Sequence, residues 1–117
     1  MTFLIPILDI RDSDKDLVGG KAYCLSVLKH AGLLVPDALC VTTKAYDEYV
    51  SRTGIKERII LELKRKHFDD MRWEELWDAA LRIRNMFLNT PLPPEIETPL
   101  RENIARHFTG KAAAVRS

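Results

Sequence analysis

The chain has 117 residues, with 18 lysines and arginines against 17 aspartates and glutamates and a formal charge of +1. That length suits one domain or part of one, able to bury about 65% of its unfolded surface. The near-neutral balance gives no long-range field of either sign, so charge alone does not suggest a nucleic-acid or anionic-membrane surface. No run approaches the roughly 18 apolar residues of a membrane helix.

Residues 3–8 read as an opening strand, with Pro6 tolerable only at an edge or bend. The run has no basic stretch ahead of it and no small-residue cleavage site behind it, so it is not read as a signal peptide. Residues 11–16 are polar and acidic and read as a loop. Asp12, Asp14 and Asp16 alternate there, but the glycine and closing glutamate of a calcium loop are absent. Gly19 and Gly20 then precede a helical pattern with Ala22, Leu25, Leu28 and Ala31 or Gly32 on one face. Gly32 is placed to end it and Pro36 to prevent its resumption.

Residues 39–41 form a short apolar strand, followed by Thr42 or Thr43 as the N-cap of a helix burying Tyr46, Tyr49 and Val50. Gly54 closes that helix. A second helix spans residues 55–67, ending in a basic cluster (Lys64, Arg65, Lys66) that suits the negative end of the helix dipole. Trp73, Leu76, Trp77, Ala80, Leu81, Arg84, Phe87 and Leu88 follow the strongest helical period in the chain, and this aromatic stripe is expected in the core. Three prolines make residues 89–94 a rigid connector. Ile96, Leu100, Ile104 and Phe108 mark a last helix, which Pro99 should kink or delay to about Thr98. Gly110 ends it, and residues 112–115 read as a buried strand. The order is strand, helix, strand, four helices, strand, an α+β chain with its helical segment at about residues 44–108.

Two places could carry chemistry. Gly19-Gly20-Lys21 lies at the mouth of a helix, where unpaired amides and the dipole favour anions. Paired glycines allow close backbone approach to a phosphate, and the lysine places an ammonium on it. The spacing is not that of a Walker loop, and the same residues also suit a plain turn. Arg116, at the end of the last expected strand, could hold two phosphate oxygens in a fixed fork or stand in solvent. Cys24 and Cys40 have no metal-type spacing and are expected as buried thiols in a reducing, cytoplasmic compartment. His30, His67 and His107 are scattered among the helices, in surface or capping positions, and no residue set is assigned to a metal or to catalysis.

Gly19-Gly20-Lys21, Leu25, Leu28, Ala31-Gly32-Leu33, Val35-Pro36, Val41-Thr42-Thr43 and Ala45-Tyr46, with the closing Ala114-Val115-Arg116-Ser117, resemble the opening of an ATP-binding domain. The family is that of phosphoenolpyruvate synthase and pyruvate phosphate dikinase, which includes the rifampin phosphotransferases. The resemblance implies that residues 1–117 are the N-terminal part of an ATP-grasp-like nucleotide-binding domain. It implies that Lys21 and Arg116 contact the phosphates of ATP, with Gly19 and Gly20 as backbone contacts. It further implies a full-length parent that uses ATP and Mg²⁺ to phosphorylate a histidine on a swivelling domain, and from there pyruvate or another acceptor. The partners implied are the nucleotide, the remainder of the ATP-grasp domain and the phosphohistidine domain, the fragment being inactive alone. None of the three histidines matches the phosphohistidine. A non-catalytic helical module that kept the fold and binds a protein is the alternative, and a rifampin phosphotransferase fragment is another. Ala38 replaces a family glycine and would cost about 1 kcal/mol if its φ were positive. Leu39 replaces a phenylalanine, and Cys24 stands where asparagine is frequent.

Overall fold

A computed structural model describes residues 3–117 as two compact units. One comprises residues 3–46 and 94–117, the other Asp47–Pro93.

The first unit is organised by two three-residue strands, β1 (Leu4–Pro6) and β2 (Leu39–Val41), which pair antiparallel with Ile5 opposite Cys40. The pairing extends at both ends, through the Ile7 amide on the Ala38 carbonyl and the Thr42 amide on the Phe3 carbonyl, both at 2.9 Å. Proline cannot donate to a ladder, and Pro6 is accommodated because each strand of a two-stranded sheet is an edge. The opening strand is thus shorter than its apolar run. At Ile7 the chain turns into a 3₁₀ turn (Ile7–Asp9) that leaves Leu8 exposed and sends Ile7 inward. Ile5, Ile7 and Ile10 form the core, against which Val18, Ala22, Leu25, Val35 and Cys40 pack.

The acidic segment expected as a loop is instead a 3₁₀ turn (Asp12–Asp14) leading into helix α1 (Lys15–His30). Asp14 is buried and accepts the Arg11 amide at 3.0 Å, while Asp12 accepts the Tyr23 hydroxyl at 2.8 Å. These two carboxylates act locally, one in a turn and one on a helix side chain. α1 is broken at Gly19, whose φ of 80° and ψ of 173° lie far from helical values. Only glycine reaches that region without strain. The break makes a fresh helical start at Gly20, which is where the glycine pair was expected to open a helix.

At the other end of α1, Gly32 adopts a φ of 88°, as the terminator position asked. His30 finishes the helix by placing Nδ1 2.8 Å from the Ser26 carbonyl and Nε2 3.1 Å from the Leu8 carbonyl, tying the helix end to the turn after β1. No non-glycine among the described residues has a positive φ, so Ala38 carries none of the cost its substitution for glycine could have brought. Of the expected buried face of α1, Ala22 and Leu25 pack on the core while Leu28 and Ala31 are exposed. Cys24 is also exposed and Cys40 only partly covered, so the expectation of two buried thiols fails for Cys24.

Helix α2 (Thr43–Arg52) opens in the first unit, with Ala45 buried and Tyr46 exposed, against expectation for the tyrosine. The remainder of α2 belongs to the second unit, with α3 (Ile55–Lys64) and α4 (Trp73–Leu88). Here Tyr49 is the tie: its hydroxyl donates to the Thr90 carbonyl at 2.8 Å and its ring lies 5.8 Å from that of Phe87. Ile55 is fully buried. Glu62 of α3 is buried too, and accepts from Arg65 and from Arg82 of α4. A buried carboxylate left alone would be costly, and two guanidinium partners offset that.

The buried side of α4 is not its aromatic side. Ala79 is buried and Ile83 and Met86 partly so, whereas Trp73 is 69% exposed, Trp77 68%, Leu81 49% and Leu88 68%. The helix was correctly delimited, but the expectation that its stripe lies in the core is overturned. Helix α5 (Pro94–Phe108) returns to the first unit and begins at Pro94, ahead of the expected start near Thr98. A proline in the first helical position loses no hydrogen bond, and Pro99 is carried inside with its carbonyl accepting from Asn103 at 2.8 Å. Residues 112–115 do not form the expected buried strand: they have no regular structure and Val115 is 98% exposed. Among the described residues β1 and β2 pair only with each other, and this segment adds to neither of their open edges. No helix of the described residues is long and apolar enough to cross a membrane.

Replacing Gly19 by alanine forces a side chain into the positive-φ region and is expected to destabilise the chain by about 1–2 kcal/mol. Gly20 has helical backbone and open space around its Cα, so Gly20→Ala should stabilise it by about 0.5–1 kcal/mol. Urea midpoints of the two variants check the opposite signs. Burial pushes the Cys40 thiol above its ordinary range, which keeps it protonated and slow. A thiol-titrating disulfide reagent at mildly alkaline pH should show one fast and one slow cysteine, and Cys24→Ser should remove the fast phase.

Candidate phosphate-contact site

The Gly19 break positions the candidate site. Because the helix restarts at Gly20, the first amides of the restarted segment lie beside Lys21, where an anion is favoured. Gly19, Gly20 and Lys21 are all exposed, and a Cβ built on either glycine meets no atom within 4 Å. Open space next to two side-chain-free residues allows a ligand to touch the backbone.

Lys21 and Arg116 lie far apart in sequence, yet the first unit brings their neighbourhoods together. The Lys21 ammonium donates to the main-chain carbonyl of Ser117 at 2.8 Å, a contact across 96 positions. Arg116 is the residue immediately before, exposed like the rest of residues 111–117. An ammonium has three donors. The Ser117 carbonyl takes one and leaves two to face outward.

The residues around α1 are otherwise engaged with each other. Tyr23 donates to Asp12 and lies under the Lys15 ammonium, which is 5.1 Å from the ring centroid. The Asp12 carboxylate beside it raises the Tyr23 hydroxyl above its ordinary value. Lys29 is paired with Asp37 at 2.8 Å, and that hydrogen bond holds the Asp37 carboxyl below the usual range. Lys21 is therefore the α1 lysine whose polar contact is a main-chain oxygen and not a side-chain acid or an aromatic ring.

No comparable arrangement is found elsewhere among the described residues. A hollow of about 300 Å³ in the second unit is lined by Glu62, Arg65, Lys66, Glu75 and Arg82 among others, but its charges are largely spent on one another. Lys66 bonds Glu75 at 3.0 Å and holds its carboxyl below the usual range. Both ring nitrogens of His30 face main-chain carbonyls, which suits a structural clip and not a nucleophile. Among the described residues no group of three or more histidines, cysteines, aspartates or glutamates is placed to hold a metal ion.

Sequence reasoning named Lys21 and Arg116 as candidates but missed the acceptor that joins Lys21 to the Arg116 segment, because a main-chain oxygen leaves no trace in residue identity. It also expected Arg116 to be held by a strand, and the arginine instead follows an irregular, exposed segment.

The family model for the pyruvate phosphate dikinase AMP/ATP-binding domain matches residues 15–117. A probable phosphoenolpyruvate synthase of Staphylothermus marinus is 32% identical over 86% of the chain and 12% of its own length. The phosphoenolpyruvate synthase of Escherichia coli is 32% identical over 80% of the chain and 12% of its length. A rifampicin phosphotransferase of a Streptomyces species is 32% identical over 95% of the chain and 13% of its length. The chain thus spans about one eighth of the relatives it matches, and by the extent of the match from Lys15 onward it belongs to the pyruvate phosphate dikinase AMP/ATP-binding domain family.

Proposed function

We propose that this chain supplies one side of an ATP phosphate site in a phosphotransferase. In this reading Lys21 and Arg116 contact the phosphates, and the backbone of Gly19 and Gly20 lies close against them. The observation that carries the reading is the 2.8 Å bond from the Lys21 ammonium to the Ser117 carbonyl, which draws the lysine and the Arg116 segment to one place. The exposed Lys21 and the restarted helix beside a glycine pair with open space around it support the reading. Such donors act in phosphoryl transfer by stabilising charge on the phosphate oxygens, where the protein contributes positioning more than covalent chemistry.

The family supports ATP as the ligand, and the ATP-grasp architecture belongs to the same proposal. Mg²⁺ would accompany ATP, but no acidic cluster among the described residues fits it, so no step is assigned to it here. Because the chain spans 12% of the two synthases compared above, the further partners are a remainder of the nucleotide-binding domain and a swivelling phosphohistidine domain. A cytoplasmic setting suits the two free thiols. The acceptor is pyruvate in the synthase reading, and rifampin in the alternative that the 32% identity to the Streptomyces enzyme keeps open.

Calorimetric titration of ATP into a chain extended past Ser117 tests the assignment. Lys21→Ala and Arg116→Ala should each weaken binding by roughly 10–100-fold, the worth of a charge-assisted hydrogen bond. Gly20→Ala should also weaken it while raising the urea midpoint, which separates ligand approach from folding. Equal affinity in all four proteins would overturn the proposal. The 117-residue chain should bind ATP weakly or undetectably, and submicromolar binding by it would contradict the reading of half a cleft.

A further inference from the structure

The break at Gly19 ends one helical segment before it starts the next. The last carbonyls of a helical segment have no intrahelical donor and must find one elsewhere. Two of those ahead of the break, on Asp16 and Val18, are met by side chains from the corner where β2 runs into α2. The Thr43 hydroxyl donates to the Asp16 carbonyl at 3.5 Å, and the Cys40 thiol to the Val18 carbonyl at 3.8 Å. These contacts span 27 and 22 positions of the chain, so the fold and not local sequence makes them.

Each contact is weak. The first is at the long end of the hydrogen-bonding range, and the second comes from a thiol that shares its proton with the Val41 carbonyl at 3.7 Å. Burial raises the Cys40 thiol above its ordinary value, so that proton is retained. Val18 is held a second time, by its side chain against the cluster of Ile5, Ile7 and Ile10. The peptide joining Val18 to Gly19 is planar, so fixing its oxygen also fixes the direction of the Gly19 amide. The turn itself then falls to Gly19, at a φ of 80°.

We propose that Thr43 and Cys40 are positioning residues for the candidate phosphate site. They hold the chain ahead of the break, and so set where the restarted helix places Lys21. Neither is a ligand contact, and their effect on ATP rests on the reading of Lys21 as a phosphate contact.

Thr43 is exposed at the first position of α2, so Thr43→Val removes the hydroxyl and keeps the shape, and Thr43→Ser keeps the hydroxyl. In the 117-residue chain, Thr43→Val and Cys40→Ala should shift the NMR couplings between the Gly19 amide and α protons, which report φ. Thr43→Ser should restore them. A merely stabilising role would lower the urea midpoint and leave those couplings alone.

In the chain extended past Ser117, Thr43→Val and Cys40→Ala should each weaken ATP binding about two- to threefold, the worth of one weak hydrogen bond. Thr43→Ser should bind as the parent does. With Lys21→Ala already in place the same two changes should have no further effect, because they act through the lysine. Unmoved Gly19 couplings overturn the proposal, and so do losses of affinity that persist after Lys21→Ala. If Lys21→Ala alone leaves ATP affinity unchanged, the phosphate reading is what fails, and the Gly19 couplings still decide whether Thr43 and Cys40 set the break.

Discussion

The pairing of two three-residue strands, Leu4–Pro6 with Leu39–Val41, is the constraint on which the first unit rests. It closes a loop of more than thirty residues with very few hydrogen bonds, and so short a ladder is not stable by itself. The isoleucines at 5, 7 and 10 supply what the ladder lacks, by burying their side chains against α1. Once α1 is seated on them, the Gly19 break and Lys21 have fixed positions. The His30 clip to the Leu8 carbonyl secures the far end of the same helix. The candidate site thus depends on the strands only indirectly, through the helix that they hold.

The second unit is held differently. Its closure relies on polar ties to the backbone and between helices: the Tyr49 hydroxyl on the Thr90 carbonyl, and Glu62 between two arginines. Each replaces apolar burial with an interaction that demands a specific partner. A Leu in place of Glu62 would fit the periodicity of α3 but would leave Arg82 without its acceptor. This is one reason why the large apolar residues of α4 are not needed inside.

Local signals were the legible part of the chain. β2 lies where its apolar triplet predicted, and Gly32 and Gly110 both take positive φ at helix ends, because backbone preference is written in single residues. The glycine–lysine segment was also readable, since the break at Gly19 is a demand only glycine meets. What failed was nonlocal. The period of α4 gave the helix and its two faces, but the choice between a stripe that packs and a row of small and polar residues that packs instead depends on the neighbouring helix. Residues 112–115 have strand composition and no strand, since pairing is a property of two segments. The family assignment followed from matched residues at both ends, which is why it survived these errors of burial.

The Lys21 bond to the chain at Ser117 has one more implication. Its acceptor is main chain, so any residue at position 117 would serve, and the lysine reads the path of the backbone and not its sequence. The same ammonium is one that an arriving phosphate would seek. In the proposed reading, phosphate and residues 111–117 would draw on a single group, and their occupancies would be thermodynamically linked. Were the ammonium shared, each would hold the other in place; were it surrendered, nucleotide arrival would free the segment. Lys21 would in that sense be a junction where binding is converted into the conformation of residues 111–117.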